Sequence, residues 1–177
     1  MQMLPPAIKS IRPARLEDAG AFWELTRIIE SERPVQIIAD FEQLPTIEEQ
    51  KMQIDWFLRQ PDKRLLLVVE TETGKLAGYG MLMAGDYTVD SRTASLVIEI
   101  SSEWCRKGIG TLLCKHLEEA AKERNLHRLE LSTLANNTAA LGLYEKCGFA
   151  REGLKREARW INHKYEDECM LAKLLGS

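Results

Sequence analysis

Little in these 177 residues speaks for a nucleic acid, a membrane or a metal. Positive charge is not in excess: 24 Lys and Arg stand against 27 Asp and Glu, a formal net of −3. A general nucleic-acid binder needs a basic face to displace counterions, so no nucleic acid is expected as a partner. Long apolar runs are missing as well. Leu65 to Val69 falls far short of the roughly 20 residues that span a bilayer, and no membrane partner is expected. Met1 to Ile11 lacks the charged-then-apolar layout of a secretory signal. The three histidines (His116, His127, His163) stand at no ligand spacing from each other or from a cysteine, so no metal is assigned. Cys105, Cys114, Cys147 and Cys169 form no CxxC pair and read as buried thiols of a reduced, cytoplasmic protein.

What is present is ordinary globular material, 45% hydrophobic and 29% charged. A chain of this length buries roughly 70% of its unfolded surface, enough for one core and one domain over 1–177. Ile8–Arg12 reads as a strand and Leu16–Glu30 as an amphipathic helix. Ser31 to Pro45 reads as irregular. Thr46-Ile-Glu-Glu49 is a capping box that should open a second helix running to about Gln60. Leu65–Thr71 and Leu76–Met83 form a hairpin, and Ala94–Ser101 is a fourth strand. Gly108–Arg124 is the clearest helix. Arg128–Thr133 (strand), Thr138–Cys147 (helix) and two closing strands, Phe149–Glu157 and Tyr165–Leu174, complete a mixed α/β order.

The informative passage is Ile98-Glu-Ile-Ser-Ser-Glu-Trp-Cys-Arg-Lys-Gly-Ile-Gly-Thr111. A strand ends, a turn carries two glycines and two cations, and a long helix opens. Main-chain N–H groups and the positive end of a helix then converge on one spot, which suits a diphosphate. A P-loop would need GxxxxGK[ST], which is missing. A dinucleotide fingerprint would need a third glycine where Leu113 stands, and Glu130 sits mid-strand rather than at a strand end.

Downstream lies Asn137-Thr-Ala-Ala140-Leu-Gly-Leu143-Tyr144-Glu-Lys-Cys-Gly148-Phe149. Together with Cys105–Gly110, this resembles the GNAT superfamily of acyl-CoA-dependent N-acyltransferases, whose two signatures are [RQ]xxGx[GA] and NxxAxxLYxxxGF. Ile11-Arg-Pro-Ala14 with Glu17-Asp18 near the start, and Glu152-Gly153, Arg156, Asp167 and Met170 near the end, extend the likeness. Two positions depart from it: Cys105 replaces Arg or Gln, and Glu99 stands where many relatives have a small residue.

The resemblance implies one α/β (α+β) domain with a mixed, mostly antiparallel sheet of about seven strands and about four helices. It also implies a cleft where the fourth and fifth strands splay, commonly with a bulge in the fourth. Acetyl-CoA is the implied cosubstrate, without a metal. Ile98, Glu99 and Ile100 would pair with its pantetheine arm, and one N–H there would polarise the thioester carbonyl, worth roughly 3 kcal/mol. Cys105, Arg106, Lys107, Gly108, Ile109, Gly110 and Thr111 would hold the diphosphate, and Asn137, Ala140 and Tyr144 would line the remaining path. Tyr144 would serve the departing sulfur as an acid or hydrogen-bond donor. For a base, Glu99 in an apolar strand is the sharpest candidate, beside a water chain to a more distant carboxylate.

The implied activity is transfer of an acetyl group to a primary amine by direct attack; a small molecule or a peptide N-terminus would serve as acceptor. A non-catalytic acyl-CoA-binding sensor and a nucleotide-binding regulator are the alternatives. Family members often dimerise, which makes a homodimer a candidate assembly. Six carboxylates against Arg33 between residues 30 and 50 leave a local charge of −5, and Glu32, Asp40 and Glu42 among them could attract a cationic acceptor.

Overall fold

A computed structural model describes residues 4–32, 45–161 and 163–176. Asp40 and Glu42 lie outside the described residues. The elements are β1 (Ile8–Pro13), α1 (Ala19–Glu32), α2 (Ile47–Leu58), β2 (Arg64–Thr71), β3 (Leu76–Ala84), β4 (Thr93–Ile100), α3 (Ile109–Glu123), β5 (Arg128–Leu134), α4 (Thr138–Lys146), β6 (Ala150–Ile161) and β7 (Lys164–Leu174). One seven-stranded sheet runs β1-β2-β3-β4-β5-β7-β6. Among the described residues only β4 and β5 pair in parallel.

The sheet is covered on both faces, which is why β2 reads as an unbroken apolar run rather than an alternating one. Leu67 and Val69 join the cluster under α3 and α4, with Ile109, Leu113, Leu117, Leu141 and Tyr144. Leu66 and Val68 point the other way, into Phe22, Leu25, Ile29, Ile54 and Phe57 of α1 and α2. Burying each such leucine or phenylalanine contributes about 1.5–3 kcal/mol. The α2 cap is as expected: Glu49 N–H donates to Thr46 Oγ1 at 3.2 Å, and Thr46 N–H donates to Glu49 Oε2 at 2.7 Å. Arg12 clamps the first corner with two 2.8 Å bonds to Asp18 and one of 2.8 Å to Glu70 on β2.

Four expectations need correction. First, α1 continues through Ser31 and Glu32. Second, β6 reaches Ile161, four residues past the expected end, because its pairing with β7 holds it extended. Third, Cys105 is exposed and Cys147 half-buried, so only Cys114 and Cys169 are buried thiols. Fourth, β4 carries no bulge against β3. The register from Gly78↔Ile100 to Ala84↔Ala94 is continuous, and the splay occurs wholly on the other side of the strand.

Candidate active site

β4 and β5 share three register pairs, Thr93↔Arg128, Ala94↔Leu129 and Ser95↔Glu130, and then separate. Beyond Ser95, β4 keeps its β3 neighbour while its other edge opens. Ser101 N–H bonds to Ala77 C=O of the β3 side at 3.1 Å. Main-chain groups alternate along a strand, so those of Ile98 and Ile100 face the opening. One contact agrees with that parity: Cys105 Sγ donates to Ile100 C=O at 3.7 Å.

Below the opening lies the glycine turn. Gly108, at φ 82°, is the N-cap of α3, and Arg106 is also left-handed at φ 60°. The first intrahelical bond of α3 runs from Leu112 N–H to Gly108 C=O at 3.1 Å. The N–H groups of Ile109, Gly110 and Thr111 therefore have no intrahelical acceptor, as at any helix start. A Cβ on Gly108 would meet nothing, so the turn's outer side is open. Gly110 serves packing instead: a Cβ there would stand 2.9 Å from Leu143 Cδ2. Arg106 and Lys107 are exposed, with Lys107 Nζ 4.5 Å from the centre of the Trp104 ring.

α4 supplies the other wall. Asn137 caps it by accepting from Ala140 N–H at 3.1 Å, a bond that leaves the N–H groups of its side-chain amide unused. Ala140 packs half-buried against the core. Tyr144 is 6% exposed, with its ring edge-on to Phe149 at 5.7 Å. Burial drives its phenol well above the ordinary value of 10; Cys114, Glu99 and Cys147 push the same way, and the nearby Ile98 main chain opposes them.

Glu99 is half-buried and takes a very short hydrogen bond from the Tyr79 hydroxyl, its cross-strand neighbour. Tyr79 is buried against Phe22, ring centres 5.0 Å apart. The partner is thus a phenol from β3 on the α1 and α2 face, opposite the cluster that holds the Tyr144 ring. Sequence reasoning missed Tyr79. The pair of glycines around it was the available signal: a Cβ on Gly78 would lie 2.7 Å from Glu99 C=O, so this stretch of β3 must hug β4. Glu32 does not stand as a lone acceptor-side charge. It takes Ser102 N–H and the Ser102 hydroxyl, each at 2.7 Å. Among the described residues no group of three or more His, Cys, Asp or Glu is placed to hold a metal.

A strand edge open beside a parallel neighbour, with helix-start N–H groups below it, is an arrangement that can pair with an extended ligand and meet an anionic group. Comparison with known proteins gives the class: the profile of the Acetyltransferase (GNAT) family matches residues 23–149, and the chain belongs to that family. Spermidine N(1)-acetyltransferase of Vibrio cholerae is 36% identical over 101 residues, 56% of this chain and 57% of that protein. A Bacillus subtilis protein, YxbD, is 37% identical over 55% of this chain and 65% of its own. The chain therefore spans less than two thirds of these two relatives. The ribosomal protein bS18 alanine N-acetyltransferase of Escherichia coli K12 is 27% identical over 71% of this chain and 85% of its own. Among solved structures, a GNAT acetyltransferase of Streptococcus pneumoniae superposes with TM-score 0.86 at 26% identity, covering 94% of this chain and 99% of that one. A phosphinothricin acetyltransferase of Sinorhizobium meliloti, solved with acetyl-CoA, shares the fold at TM-score 0.83 and 19% identity, covering 96% and 89%.

Proposed function

We propose that this chain moves the acetyl group of acetyl-CoA to a primary amine by direct attack. The observation that carries the reading is the uncovered edge of β4 directly above the bare N–H groups of Ile109, Gly110 and Thr111. A pantetheine arm fits that edge as an added strand, and the diphosphate then falls at the helix start. Arg106 and Lys107 add charge there, and the amide N–H groups of Asn137 reach the arm. In the reaction the amine nitrogen adds to the thioester carbonyl carbon, the C–S bond breaks on collapse, and the electron pair leaves on sulfur. Tyr144 donates a hydrogen bond to that thiolate. Its raised pKa disfavours full transfer to a sulfur whose conjugate thiol titrates near 8.5. The amine's proton passes to Glu99, held by Tyr79, or through water to another carboxylate.

The acceptor class is supported by two relatives whose names specify nitrogen acetylation, of spermidine and of a protein's alanine. The deciding experiment incubates the purified protein with acetyl-CoA and a panel of amines and follows thiol release. Release with at least one primary amine is expected. Tight acetyl-CoA binding with no release from any amine would leave an acyl-CoA-binding module, and no binding at all would remove the cofactor reading.

A further inference from the structure

Glu32 is the last residue of α1, and a carboxylate is disfavoured at the negative end of a helix. Here both of its oxygens are engaged, and by the same residue: Ser102 N–H donates to Oε2 and Ser102 Oγ to Oε1, each at 2.7 Å, across 70 positions of sequence. Ser102 begins the short 3-10 turn Ser102–Trp104, which leads from the end of β4 directly into Cys105 and the glycine turn. Trp104 of that turn lies under Lys107, and Cys105 reaches back to Ile100 C=O. One carboxylate on α1 thus fixes the segment on which the turn is mounted. The turn needs such fixing, because Arg106 sits in a left-handed conformation that a residue with a Cβ adopts at a cost.

We propose that Glu32 is a positioning residue for the diphosphate turn, acting through Ser102 to hold the Arg106–Thr111 backbone ready for its ligand. The proposal rests on the acetyl-CoA reading above. Without the grip, ordering the turn falls to the ligand and its affinity drops, whereas a ligand that never touches the turn is indifferent.

Calorimetric binding of two thioesters separates the outcomes: acetyl-CoA, and S-acetylpantetheine, which keeps the arm but lacks the diphosphate. Glu32→Ala should raise the acetyl-CoA Kd about 5- to 20-fold, the loss of two charge-assisted hydrogen bonds discounted for their exposure. The S-acetylpantetheine Kd should hold, and the apo Tm should fall by no more than a few degrees. Glu32→Gln, which can still accept the N–H and donate to the hydroxyl, should recover most of the affinity. Ser102→Ala should fall between, and adding it to Glu32→Ala should cost less than about twofold more, as expected for one shared interaction. An unchanged acetyl-CoA Kd in folded Glu32→Ala, or an equal loss for both thioesters, overturns the proposal. If the wild type binds both thioesters equally, the diphosphate reading of the turn falls, and this proposal with it.

Discussion

Gly110 and Leu143 touch where the first turn of α3 meets α4, so closely that a Cβ on Gly110 would stand 2.9 Å from Leu143 Cδ2. The second glycine of the turn is therefore a packing glycine, whereas Gly108, with open space around it and φ 82°, is a conformational one. The two must not be tested alike. A glutamate at Gly110 would bury charge and bulk at the helix junction, and lost ligand binding would then report lost folding.

Gly110→Ala is expected to lower stability by about 1–2 kcal/mol, the overpacking cost less the helix-propensity gain, as read by urea unfolding. Lys107→Glu, at an exposed position, should leave the unfolding midpoint unchanged and weaken acetyl-CoA about tenfold at low salt, less at 1 M. Unaltered affinity at low salt would remove Lys107 from the site.

Tyr144→Phe keeps the edge-on contact with Phe149 and deletes one hydroxyl. Acetyl-CoA affinity should hold within a few fold while kcat drops about 10- to 1000-fold. Because burial lifts the phenol well above 10, it stays protonated throughout the assay range and adds no alkaline limb to the rate profile. The sign for stability is the same as for any raised group. The unfolded tyrosine ionises from pH 10 upward while the folded one does not, so wild-type stability should decline above pH 10 more than that of the Phe variant.

Glu99→Gln retains an acceptor for the Tyr79 hydroxyl but no base. A fall in kcat/KM of about 100-fold or more, with the apo fold intact by circular dichroism, assigns proton acceptance to this position. Wild-type turnover in the variant would move the base to a carboxylate reached through water.

Asp18 is 7% exposed, receives two bonds from Arg12 and accepts Arg15 N–H at 2.7 Å. Asp18→Asn should cost about 2–4 kcal/mol, since it leaves Arg12 half-buried beside a neutral partner. The Arg12 guanidinium holds the Asp18 carboxyl below its ordinary value, and Glu70, paired with Lys9 and Arg12, is drawn down to about 2. Both contributions are present above pH 4 to 5 and are lost as the pH falls through the depressed folded values. Acid unfolding of the wild type should be steep below pH 4, and shallower in the variant.

Local rules reached the elements whose fate is decided locally. The Thr46–Glu49 cap, the apolar stripe Ile109, Leu112, Leu113, Leu117 and the strand–turn–helix around Gly108 are all legible in order along the chain. The end of β6 was not, because Lys155 to Trp160 is exposed at nearly every position and shows no alternation; its extension comes from β7 alongside. Tyr79–Glu99 and Glu32–Ser102 were also hidden. The first needs the β3–β4 register and the second the direction in which α1 crosses the sheet, and neither is written in a window of neighbouring residues.

The three-pair contact between β4 and β5 has a mechanical side. A continuous sheet is stiff along its hydrogen-bonding direction, but this one is two plates, β1 to β4 and β5-β7-β6, stitched along a short seam at one end. Past Ser95 the register pairs between the plates end. A chain of amides laid into the gap would restore the missing ladder and join the plates along their whole length. The ligand would then act as a structural strand, and deuterium uptake at Ile98 and Ile100 would report how completely the seam is closed.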